Sequence, residues 1–230
     1  MRCARCMIVG AVCVVLFSVC DTNGGTMTMG SVELPEPRTE SDVSVEEAIA
    51  GRRSRRSFAA RPLTLRELGQ VLWAAQGITG PQGRKRAAPS AGATYPMFVY
   101  AAVGQGGVEG LEAGVYRYLP EQHALKLRRE GDVREEITAA ALGQQSLAQA
   151  PVDLLLAADY ERTTGRYGER GIRYVAMEAG HVGQNIYLQA EALGLGTVAV
   201  GAFDDEALAA ACGIPKEQNA LYVMPVGQQQ

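Results

Sequence analysis

Arg52-Arg53-Ser54-Arg55-Arg56-Ser57-Phe58 sets four guanidinium groups within five positions, directly after a short helical pattern. Forked donors at this density can surround a dianionic phosphate, and the Ser54 hydroxyl adds to the set. Taken alone, the run also suits a solvated face or a nucleic-acid patch. Two further stretches narrow the choice. Pro89-Ser90-Ala91-Gly92-Ala93-Thr94-Tyr95-Pro96 places small residues between two prolines, just before the apolar run Met97 to Val103. With so little side chain, its amides and Ser90 can lie flat beneath a planar, partly polar ligand. Gly194 to Asp205 ends a helical pattern on glycine and runs an apolar strand into a second small-residue turn, exposing main chain again.

In this order the stretches resemble the FMN-dependent nitroreductase superfamily, and its SagB-type dehydrogenase branch most closely. The likeness runs over residues 33–227. It includes Leu34-Pro35-Glu36-Pro37, Leu72-Trp73-Ala74-Ala75-Gln76-Gly77, the Arg86 to Pro96 segment and Glu178-Ala179-Gly180-His181-Val182-Gly183-Gln184-Asn185. The resemblance implies an α+β, nitroreductase-like fold: a central mixed or antiparallel sheet flanked by helices, in an intertwined homodimer with FMN at the interface. It also implies NAD(P)H as co-substrate. Arg52, Arg53, Ser54 and Arg56 would hold phosphate and ribityl oxygens. Pro89, Ser90, Ala91 and Gly92 would line part of the ring, and Ala199, Val200 and Gly201 would supply main chain near its reactive edge. Arg53 and Arg86 are candidates to stabilise the reduced ring, whereas Arg55 reads as a solvated face or local ion pair.

In SagB-type azoline dehydrogenases a Lys-Tyr pair just before the long helix does proton chemistry. The dipeptide here is Arg166-Tyr167. Arginine keeps its proton at ordinary pH, so Arg166 can orient or stabilise charge but is a poor base, while Tyr167 can donate or accept. Plain loop structure is the alternative for both. The resemblance further implies a basic residue for the phosphate beyond Val226-Gly227-Gln228, as in many relatives; with none in this sequence, the expectation is that the N-terminal arginines carry more of that task.

Length and composition fit this frame. The 230 residues are 47% hydrophobic and 20% charged, enough for one domain with a sizeable core. Lys and Arg number 22 against 25 Asp and Glu, a net −3. Arg2 and Arg5 are the only charges in the first twenty residues, so the remainder carries 20 basic against 25 acidic groups, or −5. An acidic body with one arginine cluster suits a small anion better than extended nucleic acid.

Residues 1–20 have the architecture of a signal peptide or lipoprotein leader: a basic start, an apolar stretch from Met7 to Val19, then Cys20. That stretch is short of the ~20 residues a spanning helix needs. Cys20 stands where a lipidated cysteine would attach the chain to a membrane, although Val19 replaces the usual small residue and Phe17 the usual aliphatic. The reading is therefore an exported or anchored protein with leader 1–20, linker 21–32 and domain 33–227. Its alternative is a cytoplasmic protein starting at Met27 or Met29. Four of the five cysteines fall in the leader, leaving Cys212 as a core residue. His123 and His181 stand far apart, so no metal site is expected. Gly104-Gln105-Gly106-Gly107 follows a strand but precedes a hairpin pattern, which removes a dinucleotide-loop reading.

Capping boxes at Ser44/Glu47 and Thr64/Glu67 predict helices to Gly51 and Gly77. Strands are expected over Met97 to Gly104, Val152 to Ala158, Thr197 to Val200 and Leu221 to Val226, with a hairpin of Gly114 to Leu119 and Ala124 to Arg129. Further helices are expected over Val133 to Leu142, Arg173 to Leu193 and Asp205 to Cys212. The function expected is hydride transfer from NAD(P)H to a nitroaromatic or quinone-like small-molecule acceptor. The alternatives are a SagB-type dehydrogenase or oxidase acting on a peptide or heterocycle, and a non-catalytic exported flavin-binding lipoprotein.

Overall fold

The computed structural model describes residues 31–80 and 85–230. The leader, Cys20 and both alternative starts lie outside the described residues. The chain folds as α+β in the order β1 (Ser31–Glu33), α1 (Val45–Gly51), α2 (Leu65–Gln76), β2 (Met97–Val103), β3 (Gly114–Leu119), β4 (Ala124–Glu130), α3 (Arg134–Ala140), α4 (Gln145–Gln149), β5 (Val152–Ala158), α5 (Glu161–Tyr167), α6 (Arg170–Ala192), β6 (Leu195–Thr197), α7 (Asp205–Cys212) and β7 (Asn219–Gln228). Seven strands form one sheet, β1-β4-β3-β2-β5-β7-β6, and each of the six strand pairings is antiparallel.

Both expected capping boxes are formed. Ser44 Oγ accepts from Glu47 N at 3.1 Å while Glu47 Oε2 accepts from Ser44 N at 2.8 Å. Thr64 and Glu67 repeat the exchange at 3.2 and 2.8 Å. Each box satisfies amides that a helix start leaves without partners.

Every residue of β2 and β5 is buried because helices cover both faces of the sheet. Alternation along β2 sends Val99 and Ala101 to the face covered by α2 and α6, and Phe98 and Tyr100 to the face covered by α3, α4 and α7. Helix α6 contributes Val175, Ala179, Val182 and Ile186 to the first core, the stripe its periodicity predicts.

Three expectations are corrected. The 197–200 strand is β6, ending at Thr197, with Val200 making a separate bridge to Val223. The Arg166-Tyr167 dipeptide is not loop but the last turn of α5, and α6 begins three residues earlier, at Arg170. Glu161-Arg162-Thr163-Thr164-Gly165 is a poor helix former by propensity. Tertiary contact decides otherwise, since Thr163 is buried and its hydroxyl lies 2.8 Å from that of Thr94. Among the described residues no helix is long and apolar enough to cross a membrane.

Candidate functional site

The arginine run leaves α1 and lies along the β6 edge. Arg55 N donates to Thr197 O at 2.9 Å, and Ser54 bridges to Thr197 in parallel. Gly196 permits this approach, because a Cβ there would stand 2.7 Å from Arg55 Cβ. None of Arg52, Arg53, Arg55 or Arg56 forms an ion pair with a described residue. Arg56 is exposed and without a hydrogen-bond partner among the described residues. Arg53 turns back on α1, donating to Ala50 O and Arg52 O at 3.0 and 2.8 Å. Arg55 departs from its expected solvated role: it is half-buried and its Nε, out of water, has no partner. An orphaned buried guanidinium nitrogen is costly unless an anion or water meets it.

Tyr187, on α6, joins this run to the third motif. Its ring lies 5.1 Å from the Arg52 guanidinium carbon. Its hydroxyl stands 3.2 Å from Ser54 Oγ and accepts from Ala199 N at 2.8 Å. Val200 N is taken by Val223 O at 2.9 Å, which leaves the exposed Gly201 amide without a partner among the described residues. The Arg52–Arg56 and Ala199–Gly201 motifs therefore form one surface. Tyr187 carried no signal in the sequence, since its role depends on a hydroxyl meeting two segments far from it in the chain.

The second motif assembles elsewhere. Ala91–Ala93 makes one 3₁₀ turn with Gly92, Ala93 and Tyr95 at φ 57, 54 and 46°. The amides of Ser90, Ala91 and Gly92 have no partner among the described residues, while Ser90 Oγ accepts from Tyr95 N at 2.9 Å. Arg166 and Tyr167 close on this turn from α5. Arg166 Nη1 donates to Gly92 O at 3.1 Å, and a Cβ on Gly92 would meet the Tyr167 hydroxyl at 2.4 Å. The Tyr167 ring packs edge-on against Tyr174 with centroids 5.2 Å apart. Arg86 belongs here too, stacked 5.0 Å over Tyr95 and paired to Glu121 at 2.7 Å.

Beneath the turn lies Glu178, a group the sequence reading quoted only as part of a motif. It is 2% exposed and its Oε1 has no partner. Burial pushes its pKa from 4.5 up to about 7, against the opposing pull of Ser90, Arg86 and Gln76. Because the folded value lies above the unfolded one, the folded chain holds this proton more tightly. The stabilisation is full below about pH 4.5 and is lost as pH rises through about 7. Glu178→Gln, neutral throughout, is therefore expected to gain Tm over wild type by a few degrees between pH 5 and 8. Parallel Tm curves for the two proteins would show that the carboxyl does not titrate in this range.

Glu178 and Tyr187 lie nine residues apart on α6, hence roughly 13 Å along its axis and about half a turn around it. Within one chain the arginine surface and the Ser90–Gly92 turn consequently meet opposite sides of the helix. Both fit parts of a flavin nucleotide: unpaired guanidinium groups for a phosphate, and free amides on side-chain-poor main chain for a polar ring edge.

A sequence model of the nitroreductase family matches residues 49–228. The Methanocaldococcus jannaschii protein named Putative nitroreductase MJ1384 is 47% identical over 198 residues, 86% of this chain and 97% of that protein. The crystal structure of a putative nitroreductase from Ralstonia eutropha superposes with a TM-score of 0.76 at 29% identity, covering 90% of this chain and 92% of that one. The Escherichia coli Microcin B17-processing protein McbC is 29% identical over 136 residues, 58% of this chain and 50% of its own length.

Proposed function

This chain belongs to the nitroreductase family, and from that premise we propose that it is an FMN-dependent oxidoreductase passing hydride from NAD(P)H to an electrophilic small molecule, nitroaromatic or quinone-like. The observation that carries the reading is the run of four arginines without an ion pair among the described residues, one of them with an orphaned buried nitrogen. When bound, FMN would supply a two-electron carrier between donor and acceptor. Arg52, Arg55, Arg56 and Ser54 would grip its phosphate, with Arg53 bracing the end of α1. Gly201 would offer an amide from the adjoining turn, its position set by Tyr187. Pro89, Ser90, Ala91 and Gly92 would present three free amides to the ring, and Arg86 would add positive potential from behind the turn.

Because the two surfaces flank opposite sides of α6, a complete site would draw on two copies of the chain. The homodimer proposed on this basis would also cover Ile172 and Met177, each 53% exposed on α6. The test is the visible spectrum of the purified chain followed by anaerobic NAD(P)H titration. A yellow chain that bleaches is expected. Folded protein that stays colourless with added FMN would overturn the reading, and a yellow chain that never bleaches would make it a flavin-binding protein without turnover.

A second reading, a SagB-type dehydrogenase acting on a peptide or heterocycle, is favoured by the seating of Tyr167 against Gly92 and by the likeness to McbC. Tyr167 can move a proton at its hydroxyl while Arg166, anchored on Gly92 O, holds positive charge beside it. Tyr167→Phe is expected to keep its flavin and lose about 100-fold or more in turnover. An unaltered rate with several acceptors would leave Tyr167 a packing role only.

A further inference from the structure

Beside the Ser90–Gly92 turn, at the end of the β2–β3 pair, three arginines converge on one small cavity. It measures about 110 Å³ and is lined by Arg86, Arg117 and Arg162, with Phe98 as its floor and Glu121 at its edge. The guanidinium carbons of Arg117 and Arg162 both sit close to the Phe98 ring, 4.6 and 4.7 Å from its centroid. Arg86 is satisfied by Glu121 at 2.7 Å, and Arg162 by Asp159 at 3.4 Å and by Tyr95 O at 3.1 Å. Arg117 is not. It has no carboxylate partner among the described residues, and its buried Nε lacks any hydrogen-bond partner.

Two like charges gathered on one ring repel each other unless something negative sits between them, and the cation–π contact at each returns only about 1 kcal/mol. Three guanidinium groups against two carboxylates leave one positive charge over, at Arg117. The cavity has room for a few waters or for one tetrahedral ion. We infer that it is a binding site for a phosphate-sized oxyanion, with Arg117 as the principal ligand, Arg162 opposite it and Arg86 at the rim. The forked planar donors of arginine match such an ion, which Lys at the same places would meet only as point charges.

The site lies on residues separate from the arginine run proposed to grip flavin, so it can fail while that reading stands. The test is calorimetric titration of the full chain, as purified with its flavin absorbance recorded, with inorganic phosphate at constant ionic strength. Wild type is expected to bind one phosphate per chain at this cavity. Arg117→Met should weaken that binding at least tenfold, and Arg162→Met should weaken it through a different element, so the pair decides the matter even if one variant folds poorly. Arg66→Met, at an exposed arginine of α2 outside both clusters, should leave it unchanged. Isotherms for both cavity variants equal to wild type would overturn the site, as would an equal loss of phosphate binding in Arg66→Met.

A second arm identifies the source of the oxyanion. If phosphate competes with NADPH but not with NADH, and Arg117→Met abolishes that difference, the group is carried by the dinucleotide. If neither nucleotide competes, the cavity binds a free or otherwise borne phosphate.

Discussion

Arg56→Ala is expected to lower flavin affinity about 10- to 100-fold, so that the variant leaves purification largely colourless. A hydrogen bond to a charged partner contributes about 1.5–3 kcal/mol, and each 1.4 kcal/mol is about a factor of ten. In the free chain Arg56 is exposed and pairs with nothing described, so its removal costs the fold little. The loss should therefore appear in binding and not in the Tm of flavin-free protein. Arg55→Ala gives a useful contrast. That side chain is half-buried and its Nε has no partner until an anion meets it, so its removal should lower affinity while leaving the Tm of flavin-free protein unchanged or raised, since alanine keeps the main-chain bond to Thr197. Measured by fluorescence titration of apoprotein, unchanged affinity in both variants would show that the run is not the phosphate grip.

Gly92→Ala should cost about 1–3 kcal/mol of stability, because alanine must then hold φ 57° in a turn that already keeps Ala93 and Tyr95 left-handed. It should also slow turnover with every acceptor. The added Cβ would stand 2.4 Å from the Tyr167 hydroxyl and 3.0 Å from the Arg166 guanidinium carbon, so both must retreat from the turn. Gly106→Ala is the control. Its φ of 65° carries a similar backbone penalty, but nothing lies within 4 Å of the new methyl group. Loss of stability in both, with loss of turnover in Gly92→Ala alone, is the expected outcome of paired melting and rate measurements. Equal activities would separate Tyr167 and Arg166 from the chemistry.

Much of this molecule is written locally. The capping boxes at Ser44 and Thr64, the apolar runs that became β2 and β5 and the stripe on α6 depend on residues within a turn or two of each other, or on simple alternation, so they survive reading in one dimension. The motifs likewise announced an arginine surface, a side-chain-poor turn and a glycine-ended helix leading through a strand into a second such turn, and with them the family. What escaped were features with no local signature. Helix α5 runs against its own propensities because Thr163 finds Thr94. Arg55 read as a solvated side chain or local ion pair until the β6 edge covered it.

The partition follows from what each level can encode. Amino-acid order alone determined which segments curl, which extend and where unpaired positive charge is concentrated, since those follow from side-chain type and spacing. Only the tertiary structure decided that Tyr187 would bind the first motif to the third, that Glu178 would lose its water beneath the second, and that Arg117 would find no counter-charge among the described residues. Burial, hydrogen-bond satisfaction and charge balance are properties of a neighbourhood, and that neighbourhood comes into being when distant segments pack.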